Sequence, residues 1–161
     1  CQVANDNDPN QVVISGHREA VDRAINLAKQ RGAKRALPLN VSAPFHSDIM
    51  KPAAEVMKDS LSNVVISKPE IPVVMNTRAN SVEEPESIRQ FLVDQVAGMV
   101  RWRESITFMR SRGVEEFYEL GEGKALSGMV KRISDTAKTI NITSSENLKA
   151  IMENIYDDRT Q

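Results

Sequence analysis

The chain has 161 residues, 40% of them hydrophobic, enough to bury a core and suited to one domain. Its formal net charge of −1 excludes a global basic field that would attract nucleic acid. Its single cysteine, Cys1, excludes an internal disulfide framework and fits a reducing compartment. No apolar run approaches the roughly 20 residues of a membrane span, and the polar stretch Asn5 to Asn10 is no signal peptide. The chain starts at Cys1 rather than Met, so it reads as cut from something longer.

Gln11-Val12-Val13-Ile14 is a β-branched run stopped by Ser15-Gly16 and reads as a buried strand. Ala20, Val21, Ala24, Ile25, Leu27 and Ala28 then recur at helical spacing until Arg31-Gly32, with Ser15 as a candidate cap. Ala36 to Val41 reads as a second strand, near an edge because of Pro38, which completes a β-α-β unit. From Asp48 to Ser62 the pattern is helical. Ile71 to Met75 is a strand bounded by a proline, and Asn76 to Pro85 is a polar loop. Glu86 to Gly98 and Trp102 to Ser111 read as helices, with Gly113 as a stop. A short strand around Phe117 to Leu120 precedes the loop Gly121-Glu122-Gly123 and a helix from Lys124 to Ile133. Ile140 to Thr143 is a last strand and Asn147 to Tyr156 a terminal helix, with the tail Asp157 to Gln161 frayed. Strands alternating with helices make the class α/β.

His46 lies between the predicted strand at 36–41 and the predicted helix at 48–62. An imidazole there is suited to take a proton from a serine or thiol nucleophile, provided an acceptor orients its other nitrogen. A buried, backbone-satisfied histidine is the competing reading. Gly121-Glu122-Gly123-Lys124 opens a helix as phosphate-cradling loops do, but Ala125 follows the lysine, so it fits a tight turn better. Arg101 and Arg103, Arg110 and Arg112, and Lys131 and Arg132 form local basic clusters, suited to an acidic partner or simply to solvent. His17 and His46 are far apart and no Cys/His/Asp spacing matches a metal site.

Four blocks, taken in order, resemble one family. Val41-Ser42-Ala43-Pro44-Phe45-His46-Ser47, followed by Met50-Lys51-Pro52-Ala53-Ala54, resembles the histidine motif of malonyl-CoA:acyl carrier protein transacylases. The blocks Gln11 to Val21, Ile71 to Asn76, and Tyr118 to Arg132 resemble others of that family at matching spacing. The resemblance covers nearly the whole chain and identifies it as similar to the C-terminal half of these enzymes of bacterial type II fatty acid synthesis. It implies a hydrolase/phospholipase-like large α/β subdomain with an inserted ferredoxin-like small subdomain. Residues 1–42 would be the second half of the small subdomain, and 43–161 the C-terminal part of the large one.

The implied reaction moves malonyl from malonyl-CoA to the phosphopantetheine thiol of acyl carrier protein through an acyl-serine. His46 would be the general base, and a main-chain carbonyl at Gln95 would steer it. Asn7 and Asn76 would line the pocket. Phe45 would crowd an α-methyl group and so favour malonyl. The elbow serine, the carboxylate-gripping arginine and the oxyanion-hole glutamine would come from the missing N-terminal half, since no Gly-x-Ser-x-Gly occurs here. The fragment alone would be inactive. No cofactor is implied, malonyl-CoA being a substrate, and the setting would be cytoplasmic. A polyketide-type acyltransferase of the same superfamily, or a non-enzymatic carrier-protein-binding fragment, are the rival readings.

Overall fold

In the computed structural model the backbone is described for residues 1–158 and the side chains for residues 1–153. The described chain is mixed α and β. Its order is β1 (Gln2–Asp8), β2 (Gln11–Ser15), α1 (Arg18–Gln30), α2 (Lys51–Ser62), β3 (Val73–Val74), β4 (Ser81–Val82), α3 (Pro85–Ala97), α4 (Trp102–Ser111), β5 (Glu116–Leu120), α5 (Ala125–Ile133), β6 (Lys138–Ile142) and α6 (Ser145–Asp158). It forms two compact units rather than one, residues 1–108 and 109–161.

The first unit begins with an antiparallel β1–β2 hairpin. The sequence gives no hint of β1, because asparagine and aspartate disfavour strands. Pairing overrides that preference. The Asn10 amide donates to Asp8 Oδ1 at 2.9 Å, closing the turn. On its other side β1 exchanges backbone bonds with Val100: Asp6 N–H to Val100 O at 2.9 Å, and Val100 N–H to Ala4 O at 2.8 Å.

The helices follow the apolar spacing and the proline and glycine signals. Pro52 sits in the first turn of α2 and Pro85 in that of α3, where a missing N–H costs nothing. A 3-10 turn at Asp48–Met50 leads into α2, which packs against α3. Arg89 Nη1 donates to the Leu61 carbonyl near the end of α2, tying the two helices together. The small core of this unit is Ala4, Met75, Ala79, Val93, Val100 and Ile106.

Two expectations are corrected here. Residues 36–41 form no strand, so the predicted β-α-β unit is absent and a β-β-α arrangement takes its place. Pro38 removes a donor, and none of the described strands runs beside this segment to accept its ladder bonds. The strand expected over Ile71 to Met75 shrinks to Val73–Val74, paired with Ser81–Val82 inside the expected loop. Ser15 is also not the cap of α1; His17 holds that position, without a side-chain bond.

In the second unit β5 and β6 pair in parallel, with α5 between them in sequence. Val130, Ala137 and Ile142 form its core. Of the tail expected to fray, Asp157 and Asp158 continue α6, while 159–161 lie outside the described residues.

Candidate active site

The turn Pro44–Ser47 presents His46. Its backbone sits at φ +56°, in the left-handed region that few non-glycine residues enter. Four neighbouring bonds accompany it. Phe45 N–H donates to Ala43 O at 2.9 Å and Met50 N–H to Ser47 O at 2.9 Å. Asp48 N–H donates to the Gln2 side-chain oxygen at 3.1 Å, which ties the turn to β1. Ser47 Oγ donates to Pro44 O at 2.7 Å.

The imidazole reaches the C-terminal end of α3. Such an end leaves carbonyls without intrahelical partners. The helix closes with Gly98 N–H donating to Asp94 O at 2.8 Å, and the next carbonyl, Gln95 O, lies 2.9 Å from His46 Nδ1. Gly98 O lies 3.1 Å from the same nitrogen. A carbonyl only accepts, so Nδ1 carries the proton and Nε2 holds the free lone pair of the neutral ring. Gly98 comes this close because it lacks a side chain. A β-carbon there would stand 2.7 Å from Asp94 O and 3.0 Å from Thr77 Cγ2.

The Gln95 carbonyl, expected to steer the histidine, thus lies within hydrogen-bond distance of it, beside a second carbonyl at Gly98 that was not expected. Asn76 joins the group: its Nδ2 donates to Gln95 Oε1 at 3.3 Å, and its carbonyl accepts Arg101 N–H at 2.9 Å. Phe45, beside His46, leaves 47% of its surface exposed. Asn7 is buried on β1 and its Nδ2 donates to Gln11 Oε1 at 3.4 Å, so it lies on the strand next to the site rather than in the His46 network. Among the described residues no serine or cysteine side chain is hydrogen-bonded to His46 Nε2. The set fixes the direction of one imidazole, and a base so oriented would still need a nucleophile beside it.

The other sequence candidates resolve differently. The amides at the start of α5, which a phosphate would need, are already taken. Leu126 N–H and Ser127 N–H donate to the Glu119 carboxylate at 3.1 and 2.8 Å, and Asn141 Nδ2 adds a third bond at 2.9 Å. The Ser127 hydroxyl first, and then these donors, hold Glu119 below the usual carboxylate range. The Gly121–Lys124 segment is thus a turn, with both glycines at positive φ. Among the basic clusters, Arg101 binds Glu104, Arg103 binds Asp6 through both arms, and Arg110 binds Val114 O and Thr136. Among the described residues no group of three or more His, Cys, Asp or Glu is placed to hold a metal, and no helix is long and apolar enough to cross a membrane.

Residues 1–150 match the acyl transferase domain family. The malonyl CoA-acyl carrier protein transacylase of Bacillus subtilis (strain 168) is 42% identical over 157 residues, covering 98% of this chain and 50% of that protein. The protein of the same name in Salmonella typhimurium (strain LT2) is 48% identical over 132 residues, 82% of this chain and 43% of that one. The crystal structure of the acyl-carrier-protein-S-malonyltransferase from Bartonella henselae superposes with a TM-score of 0.90 at 44% identity, over 95% of this chain and 49% of that one. A malonyl-transacylase in complex with its holo type II PKS acyl-carrier protein superposes with a TM-score of 0.89 at 41% identity, over 94% and 49%. The chain spans about half the length of these relatives.

Proposed function

Because this chain belongs to the acyl transferase domain family, we propose that it is the C-terminal half of a malonyl-CoA:acyl carrier protein transacylase, with His46 as its general base. The observation that carries this reading is the pinning of His46 Nδ1 by two backbone carbonyls. Carbonyls cannot release the ring into the wrong tautomer, so Nε2 faces outward as the base. The same role falls to an aspartate in serine-histidine-aspartate triads.

The reaction runs as follows. Nε2 takes the proton of a serine hydroxyl on the companion half as that oxygen attacks the thioester carbonyl of malonyl-CoA. The carbon–sulfur bond breaks, and the CoA sulfur leaves with the proton returned from Nε2. A malonyl-serine ester remains. The phosphopantetheine thiol of acyl carrier protein then gives its proton to Nε2 and attacks the ester. The serine oxygen leaves and recovers that proton, and no proton is gained or lost over the cycle. Gln95 contributes its carbonyl, and Asn76 steadies Gln95 by its 3.3 Å bond. Asn7 and Asn76 line the malonyl pocket, and the ring of Phe45 crowds an α-methyl substituent.

The arginine that grips the malonyl carboxylate and the oxyanion-hole donor belong to the companion half, as the serine does. Residues 1–42 complete a ferredoxin-like small subdomain and 43–161 a hydrolase-like large one. Exposed Leu37, Leu39, Val41, Val65 and Ile71 support a companion half, since they find no cover among the described residues. The reaction needs no cofactor and takes place in the cytoplasm. The engagement of Arg101, Arg103 and Arg110 by their own chain removes support from a purely carrier-binding fragment.

The test is to coexpress the chain with its N-terminal half, add malonyl-CoA and weigh both polypeptides. One malonyl group on the companion half, passed on to holo acyl carrier protein, supports the reading. In His46→Ala that transfer falls about 10²–10⁴-fold. Absence of a malonyl group from the companion half, or full activity in His46→Ala, overturns it.

A further inference from the structure

Ser47 is only 2% exposed, although it is polar and stands next to the base. Its hydroxyl donates to Pro44 O at 2.7 Å. That bond bridges Phe45 and His46, and His46 lies inside the bridge at φ +56°. A left-handed histidine is not held by its own preference, since the conformation is unfavourable for a residue with a β-carbon and persists only where the surroundings impose it. Among the described side-chain hydrogen bonds, this one bridges the histidine from within the turn itself, whereas the Gln2 bond to Asp48 ties the turn to a distant strand.

We propose that Ser47 is a positioning residue for His46: its hydroxyl clasps the turn in the left-handed form that seats Nδ1 between the carbonyls of Gln95 and Gly98. This rests on the reading of His46 as the base. Without the clasp the turn relaxes toward an ordinary backbone conformation. The imidazole then swings away from both carbonyls, and Nε2 loses its aim. The family motif assigns the histidine; the burial and the 2.7 Å bond assign the serine.

The experiment uses the intact enzyme, companion half included, as Ser47→Ala and Ser47→Cys. Steady-state kinetics with malonyl-CoA are read beside the ring-nitrogen NMR signals of His46. For Ser47→Ala, kcat falls about tenfold to a hundredfold with KM unchanged, the loss expected when a reacting group moves by about 1 Å. The Nδ1–H signal broadens as the second tautomer becomes populated. Ser47→Cys, which keeps the size and a weak donor, recovers part of both. A Ser47→Ala enzyme with parental kcat and an unchanged ring signal overturns the proposal. If Ser47→Ala does not fold, Ser47→Cys decides. A lowered kcat with a broadened Nδ1–H signal supports the clasp, and parental values of both overturn it. His46→Ala in parallel separates the two readings. Activity that survives it overturns the base assignment, while the ring signal of the Ser47 variants still reports on the clasp without turnover.

Discussion

If the chain is half of a transacylase, as proposed, then expressed alone it is expected not to reach a stable folded monomer. It leaves 11398 Å² of surface accessible, where a folded monomer of 17.9 kDa leaves about 8,000 Å². The excess is about 3,400 Å², roughly four times what one partner contributes to a standard protein–protein interface. With somewhat more than half of it apolar, the uncovered surface represents on the order of 40 kcal/mol of unrealised burial. Even halved, that exceeds the roughly 5–15 kcal/mol by which a whole domain is stable. The assay is purification of the chain alone, followed by sedimentation velocity, binding of a hydrophobic dye and near-ultraviolet circular dichroism through a thermal ramp. Self-association, strong dye binding and a broad or absent transition are expected. Titration with the separately prepared N-terminal half should remove the dye signal and produce a one-to-one complex with a sharp melt. A dye-silent monomer that melts cooperatively alone would refute the reasoning.

The remaining predictions concern single residues. Glu119→Ala removes the acceptor of two helix-start amides and should cost about 1–2 kcal/mol, read as faster hydrogen exchange at Leu126 and Ser127. Glu119 is held below its ordinary value by the Ser127 hydroxyl first. Its stabilisation is therefore complete above the unfolded carboxylate pKa and is lost as pH falls through the lower folded one. Glu119→Gln should flatten that acid limb, and identical acid-unfolding curves for the two proteins would contradict the assignment. Phe45→Ala in the assembled enzyme should raise the kcat/KM ratio of methylmalonyl-CoA to malonyl-CoA by about tenfold, the worth of one methyl group in a pocket; an unchanged ratio removes Phe45 from substrate choice.

The helices were legible because their signals are local. Apolar spacing and the marks Gly32, Pro52, Pro85, Gly98 and Gly113 locate them to within about two residues. The strands were less so, because a strand is defined by its neighbour. The polar run Gln2–Asp8 becomes β1 through β2 and Val100, whereas the more strand-like run at 36–41 has nothing described beside it. The nearness of His46 and Gln95 was legible through the histidine motif and the distance of Gln95 from it. Gly98 was not, since what it offers is a backbone carbonyl that any residue carries. The helix stop at Gly98 was the available signal: where a helix ends, acceptors are left over. Ser47 was hidden for a related reason, as its importance lies in burial and a bond to Pro44 that no pattern of residue types announces.

The link between β1 and the segment after α3 has a consequence for how the site comes into being. Asp6 and Arg103, whose side chains pair, stand 97 positions apart. Closing a loop of that size costs about 4 kcal/mol of chain entropy before any contact repays it. Local helices form first, and pairings this distant form late. On a ribosome the hairpin emerges well before Val100 and Arg103 are made. The seat of His46 is therefore among the last parts of the first unit to be assembled, and a mutation that slows that closure would lower the yield of correctly folded molecules while leaving the finished seat unchanged.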